Sequence, residues 1–257
     1  MLLAIDIGNT NVVAGVFDGE RLVTSWRFQT DWEKMPDEWW TLLLTLAAND
    51  GIDVHGIHGA IVGSGVPRLT FTFRQMIKQR IGLEPVQVSA AIDLGIRVRT
   101  DNPMEVGPDR LANAVAAHAR YPGPSVVVDF GTATTLDVVS VEGDYLGGAI
   151  APGITVALEA LTRRAARLSE VDLALPPHAI GRNTRQSLQS GTVLGYMGLI
   201  EGLLTRITAE LGAEPTVIAT GGLGGLFARH MPIIQGYDPD LTLVGLNLIH
   251  RHLHGER

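Results

Sequence analysis

Cysteine is absent from this 257-residue chain, and lysine is nearly so. Without a thiol there is no disulfide frame, no cysteine zinc site, no thiol nucleophile and no iron–sulfur ligation. Of the 20 basic residues only Lys34 and Lys78 are lysines, and both are expected in helical stretches. The Gly-x-x-x-x-Gly-Lys phosphate loop is therefore missing, so any phosphate chemistry must proceed without its lysine. Positive charge is also in deficit. The formal net charge of −7 argues against a nucleic-acid or anionic-membrane partner, since both want a basic footprint. No run approaches the roughly 18 apolar residues of a membrane span. The start, Met1-Leu2-Leu3-Ala4-Ile5-Asp6, lacks a basic segment and meets a charge at once, so no signal peptide is expected. A reducing, cytoplasmic setting is the expectation.

What the chain does have is glycine, 30 residues in all, several of them at the ends of apolar runs. The run from Leu2 into Ile7 reads as a strand. A polar turn, Gly8-Asn9-Thr10-Asn11, separates it from the alternating run Val12 to Phe17, and Asp18-Gly19 leads into a third strand from Arg21 to Phe28. The same grammar recurs at Ser125 to Asp129, followed by Gly131-Thr132-Ala133-Thr134-Thr135 and a strand from Leu136 to Val141. The turn Glu142-Gly143-Asp144 then leads into Tyr145 to Ile150. Asp6 and Asp129 stand 123 residues apart, close to half the chain, and Gly8 and Gly131 repeat that offset. Either hairpin alone is an ordinary glycine turn. The matched pair points to duplication of one α/β unit.

Between the copies the periodicity turns helical, with Asp37 as the expected N-cap of a segment from Glu38 through Asn49. A short buried strand, Gly59 to Val62, ends at Gly63-Ser64-Gly65; a helix from Pro67 to Ile81 and a strand at Val86-Gln87-Val88 follow. Gly107-Pro108-Asp109-Arg110 opens an alanine-rich helix. In the second half, Ile154 to Ala166 and Arg185 to Leu211 read as helices, Glu214 to Thr220 as a strand and Leu241 to Leu253 as a last helix. Alternating strands and helices with hairpin-linked strands predict α/β domains with mixed sheets. The turn cluster Tyr121-Pro122-Gly123-Pro124 sets the expected boundary, giving domains 1–121 and 122–257. Whether the last helix packs back onto the first half is not decided by the sequence.

Three glycine-rich strand ends are candidate sites. At the first, backbone N–H groups of the Gly8-Asn9-Thr10-Asn11 turn can face an anion, and Asp6 at the strand end can hold Mg²⁺ through water. The alternative is a plain Asx turn. The second is Asp129-Phe130-Gly131-Thr132. The third, Thr220-Gly221-Gly222, suits close approach to a flat base or sugar, or is a simple strand-to-helix turn. Gly107-Pro108-Asp109-Arg110 reads either as a well-made helix start or as a base and an anion-binding arginine beside exposed N–H donors.

The three strand ends in this order resemble the actin-like ATPase superfamily, which folds two RNase H-like domains around ATP, in the cleft between them, without a phosphate-loop lysine. The full set of motifs is closer still to type III pantothenate kinases. It comprises Asp6-Ile7-Gly8-Asn9-Thr10-Asn11, Gly107-Pro108-Asp109-Arg110, Asp129-Phe130-Gly131-Thr132 and Gly147-Gly148-Ala149-Ile150-Ala151-Pro152-Gly153. Gly181-Arg182-Asn183-Thr184, Ala219-Thr220-Gly221-Gly222-Leu223 and Asp238-Pro239-Asp240-Leu241 complete it. The resemblance implies phosphorylation of the 4′-hydroxyl of pantothenate by ATP, the first step towards coenzyme A. Carried over, Asp6, Ile7, Gly8, Asn9, Thr10, Asn11, Val12 and Val13 line the ATP phosphates, with Asp6 serving Mg²⁺ and Thr132 a further ATP contact. Asp109 is the general base within a pantothenate-binding segment of Gly107, Pro108, Asp109 and Arg110. Asp129 binds a monovalent cation, K⁺ or NH₄⁺. Thr184 reaches pantothenate from the neighbouring subunit of a homodimer. One position departs: the family often has Tyr before Asp-Asn-Pro, where this chain has Thr100, too small to supply an aromatic wall.

Two other readings remain at this point: a non-enzymatic accessory protein or transcriptional regulator on the same fold, and an actin-like kinase for another small acceptor. The intact set Asp6, Asp109, Asp129 and Thr132 and the acidic balance count against the regulator. Features set aside are Trp26, Trp32, Trp39 and Trp40, read as packing residues, and His250, His252 and His254, read as a solvated tail rather than a metal site.

Overall fold

Apolar residues on both faces of Leu2–Ile7 (β1) make it the centre of a sheet, and five of its six residues are buried. The structure, a computed structural model, describes residues 1–165, 168 and 171–256. From β1 the chain returns antiparallel through Asn11–Asp18 (β2) and Arg21–Gln29 (β3). It then runs through the helix Pro36–Asn49 (α1), the parallel strand Gly59–Ser64 (β4), the helix Pro67–Arg80 (α2), the short strand Val86–Gln87 (β5) and the helix Pro108–Arg120 (α3). The sheet order is β3-β2-β1-β4-β5. Trp39, Leu43 and Ala47 of α1 and Leu69, Phe73, Met76 and Ile77 of α2 pack over Leu3, Ile5 and Ile7. Trp39 is fully buried, with Phe28 edge-on at 5.9 Å and Phe73 at 4.9 Å. Each such side chain removes enough apolar surface to contribute about 1.5–3 kcal/mol.

The second set repeats the plan. Ser125–Phe130 (β6) is central and Ala133–Val139 (β7) returns antiparallel; Tyr145–Pro152 (β8) follows. After the helices Ile154–Arg164 (α4), Thr184–Gln189 (α5) and Gly195–Leu211 (α6) come the parallel strand Thr216–Thr220 (β9), the helix Gly224–His230 (α7) and the strand Gly236–Tyr237 (β10). The order β10-β9-β6-β7-β8 mirrors the first sheet. Phe130 stacks on Phe227 at 4.5 Å beside Tyr196, Ile200 and Leu204 of α6. The last helix, Leu241–Leu253 (α8), closes the chain.

Two units result. One holds Met1–Arg120 with Gly143–Tyr145 and Asp240–Arg257; the other holds Tyr121–Glu142 with Leu146–Pro239. The division at 120/121 therefore leaves α8 in the first unit, where it lies on α3 and β1. Gly245 explains the fit: a Cβ there would lie 1.9 Å from the Ala112 carbonyl oxygen, so the two helix backbones touch. The helix α3 is correspondingly rich in small buried residues, with Ala112, Ala114, Ala116 and Ala117 all buried. The duplication is visible in register. Asp6 stands opposite Val13 and Gly63; Asp129 stands opposite Thr135 and Thr220.

Several local expectations change. The helix α1 is capped by Met35 and begins with Pro36, and the Glu38 carboxylate accepts the Met35 N–H at 2.8 Å; Asp37 lies inside the first turn. Lys34 accordingly sits in the loop before that helix, paired with Asp31, and only Lys78 is helical. The expected helix 185–211 is interrupted by a π-type turn at Ser190–Leu194, which contains the weak helix former Gly191 and is followed by Gly195. The α4 helix is described to Arg164; Ala166, which closed the expected helix, lies outside the described residues. Trp32 is 46% exposed rather than packed. His250 is not in a solvated tail: it is buried and stacked on His254 at 4.1 Å, because residues four apart share one face of α8.

Candidate active site

In the first unit the β1–β2 turn is tightly closed. The Gly8 N–H donates to the Asn11 carbonyl at 2.9 Å, and Thr30, just past β3, clamps the turn twice. Its N–H donates to the Thr10 carbonyl at 2.9 Å and its hydroxyl to the Gly8 carbonyl at 2.7 Å. Asn9 and Thr10 are exposed at the tip, while Asp6, Gly8, Asn11 and Val13 are half-buried. Ile7 and Val12 point into the core, so of the expected phosphate segment these two can offer only main-chain groups. Nothing in the sequence pattern flagged Thr30.

The segment Gly107 to Arg110 begins α3 at the same end of the sheet. Gly63, the residue of β4 opposite Asp6, has no side chain, and a Cβ there would lie 3.6 Å from Cβ of Pro108 and 3.1 Å from Leu246. That missing side chain lets the start of α3 sit against the strand end next to Asp6. The exposed Asp109 carboxylate folds back over Gly107, where a Cβ would come within 2.5 Å of Oδ1, and it accepts the Arg110 N–H at 2.9 Å. The Arg110 guanidinium lies 5.7 Å from the centre of the Tyr145 ring. Thr100 is half-buried, with its hydroxyl oxygen shielded and without a hydrogen-bond partner among the described residues.

In the second unit, Asp129 is the penultimate residue of β6, and the turn after the strand is closed by the Gly131 N–H donating to the Ala133 carbonyl at 3.1 Å. Gly153 is pressed on this turn: its N–H donates to the Thr132 carbonyl at 3.0 Å, and a Cβ there would lie 2.3 Å from the same oxygen. The sequence offered a signal for Gly153, the Pro-Gly pair before a helix, but not its neighbour. Gly221, at φ +83°, lies against Asp129. Its absent Cβ would fall 2.5 Å from Oδ1 of Asp129 and 2.7 Å from the Phe130 carbonyl. The glycine thus opens a cradle of one carboxylate and one carbonyl oxygen, the hard donors that K⁺ or NH₄⁺ accepts. Among the described residues no three His, Asp or Glu side chains group as a protein-built metal cage requires. A single carboxylate such as Asp6 suits Mg²⁺, which keeps most of its water.

Tyr196 donates its hydroxyl proton to the Pro152 carbonyl, and its oxygen pairs with the Thr134 hydroxyl at 3.1 Å; burial pushes its phenol above the usual range. Thr184 is exposed at the first position of α5, behind an Asn183 cap whose side chain accepts the Gln186 N–H at 2.9 Å.

The model of the type III pantothenate kinase family matches residues 2–206. The chain belongs to that family. Two type III pantothenate kinases illustrate how close the relation is. The one from Thermomicrobium roseum is 52% identical over 254 residues, covering 99% of this chain and 98% of that one. The one from Moorella thermoacetica is 46% identical over 250 residues, covering 97% and 98%. Among solved structures, a protein described as a Baf family transcriptional activator from Campylobacter jejuni aligns with TM-score 0.64 at 21% identity over 98% of this chain and 99% of that one. The ROK hexokinase from Thermus thermophilus aligns with TM-score 0.54 at 16% identity over 99% of both chains. These two likenesses speak for the duplicated actin-like kinase fold alone. Within the type III pantothenate kinase family, the matched span includes residues 6–13, 107–110, 129–132 and 184.

Proposed function

We infer that this chain transfers the γ-phosphoryl group of ATP to the 4′-hydroxyl of pantothenate, the first step of coenzyme A synthesis. The observation that supports it is the seating of the α3 start, at Pro108, against Gly63, the residue paired with Asp6 at the end of β1. Phosphoryl transfer asks a protein chiefly for positioning and for neutralisation of charge on the moving group. The backbone N–H groups of residues 8 to 13 and the exposed Asn9 and Thr10 hold the phosphates, aided by Thr132. Asp109 accepts the proton of the 4′-hydroxyl as the new O–P bond forms and the bond from the γ-phosphorus to the bridging oxygen breaks, releasing ADP. Arg110, in the first turn of α3, receives the pantothenate carboxylate. Asp6 holds hydrated Mg²⁺, and Asp129 with the Phe130 carbonyl holds K⁺ or NH₄⁺. When bound, these cations neutralise phosphate charge where a phosphate-loop lysine otherwise serves. Thr184 completes the pantothenate pocket of the partner in a homodimer.

The assignment of Asp109 is tested by Asp109→Asn. Loss of the base is expected to lower kcat by about 10²–10⁴-fold while leaving ATP affinity within a few-fold of the parent. Steady-state phosphorylation of pantothenate and equilibrium binding of a non-hydrolysable ATP analogue measure the two. An unchanged kcat overturns the role.

A further inference from the structure

Main-chain donors serve an anion only when their peptide planes are turned towards it, and a turn that opens on glycine has little stiffness of its own. In the β1–β2 turn those planes are set by Thr30, one residue beyond β3. Its N–H donates to the Thr10 carbonyl at 2.9 Å, the next rung after the pairing of Asn11 with Gln29. Its hydroxyl does what no ladder bond does. It reaches past β2 to the Gly8 carbonyl, just beyond the end of β1, at 2.7 Å. Both bonds capture carbonyl oxygens. In a trans peptide the N–H points opposite to the carbonyl, and no cis bond occurs among the described residues. The Gly8 carbonyl shares its peptide plane with the Asn9 N–H, and the Thr10 carbonyl shares its plane with the Asn11 N–H. Two amides are therefore directed away from Thr30, and two partial negative charges are turned away from the opposite face.

Thr30 is itself held firmly. It is half-buried, and its branched Cβ restricts the first side-chain torsion. The chain on either side is anchored on the fully buried ring of Trp39. Before Thr30, Phe28 meets that ring edge-on at 5.9 Å. After it, the Lys34 ammonium lies 5.7 Å from the ring centre and pairs with the Asp31 carboxylate at 2.6 Å. Asp31 also accepts the Glu33 N–H at 3.0 Å, which closes the loop that follows Thr30.

We propose that Thr30 is a positioning residue for ATP: its hydroxyl and N–H hold the Gly8 and Thr10 carbonyls so that the Asn9 and Asn11 amides face the phosphates. The inference rests on the reading of residues 8 to 13 as the phosphate segment, and it concerns ATP rather than the acceptor. The phosphates occupy the turn in the ground state and the transition state alike. Misdirected amides therefore raise KM for ATP and spare both kcat and KM for pantothenate.

Two substitutions in the full-length protein test this. Thr30→Val deletes the hydroxyl at nearly constant shape and keeps the N–H, whereas Thr30→Ser keeps the hydroxyl and loses only the methyl. Thr30→Val is expected to raise KM for ATP, and Kd for a non-hydrolysable ATP analogue, roughly ten-fold. Its kcat and its KM for pantothenate stay within about two-fold of the parent, and Thr30→Ser binds ATP as the parent does. A merely structural Thr30 gives a lower unfolding temperature for Thr30→Val with the parental ratio of the two KM values. That result overturns the proposal, as does Thr30→Ser being as impaired as Thr30→Val. A parent protein that binds the analogue without phosphorylating pantothenate overturns the acceptor instead, and the analogue titration alone then decides the role of Thr30. A parent that does not bind the analogue overturns the phosphate segment and the role of Thr30 with it.

Discussion

Asp6 and Asp129 hold matched places in the repeat, yet their neighbours differ. Opposite Asp6 the missing side chain of Gly63 admits Pro108 and Leu246; beside Asp129, the backbone of Gly221 presses on the carboxylate itself. One copy thus receives a helix start and the other a pair of oxygens, one carboxylate and one carbonyl, and the roles proposed for them follow from that difference. Gly221→Ala is expected to put a methyl between Oδ1 of Asp129 and the Phe130 carbonyl, and to strain a backbone at φ +83°. The K⁺ concentration for half-maximal activity rises roughly ten-fold, corresponding to about 1.4 kcal/mol of cation binding. Gly65→Ala, where a Cβ meets nothing within 4 Å, leaves it unchanged. A K⁺ titration of both variants reads the difference; equal responses would remove Asp129 from the cation site. The sequence displayed these aspartates because each follows an apolar strand and precedes a glycine turn. It did not display Thr30, or the turn on which Gly153 is pressed, because both contacts join residues distant along the chain.

Strands and helices with strong periodicity were readable directly: β1, β6 and α8 fall where alternation and helical spacing put them. Ends set by backbone chemistry were less so, as at α1, where Pro36 takes the first helical position and moves the cap to Met35. The π-type turn before α6 carries no side-chain signature beyond its glycines. The packing of α8 on α3 was illegible for a different reason, because it depends on two backbones meeting at Gly245 and Ala112, 133 positions apart in the sequence. Gly245→Ala is expected to destabilise the protein by about 1–3 kcal/mol through that overlap. Gly198→Ala, on an exposed turn of α6 with open space around it, stabilises by roughly 0.5–1 kcal/mol through helix propensity. Urea unfolding of the two variants checks the opposite signs. If both stabilise, the close crossing of α8 over α3 is not what holds the last helix in place.

For the whole molecule, the missing phosphate-loop lysine fits the proposed chemistry, in which main-chain amides, carboxylates and bound cations take its part. The proposed exchange of Thr184 between subunits predicts complementation. Asp109→Asn and Thr184→Ala chains, each nearly inactive alone, are unfolded together and refolded as mixed dimers. If Thr184 serves the partner, one site of each mixed dimer holds both native residues. Random assortment then restores about a quarter of the parental activity. No recovery, with mixed dimers verified by mass, means that Thr184 acts within its own chain. The central claim is the identity of the acceptor. Purified protein with ATP, Mg²⁺ and K⁺ is supplied in turn with pantothenate, glucose, acetate and N-acetylmannosamine, and the products are identified by phosphorus NMR and mass spectrometry. The account predicts 4′-phosphopantothenate in equal amount to ADP and no phosphorylation of the other acceptors. Phosphate transferred to a sugar or to acetate, with pantothenate untouched, would contradict it.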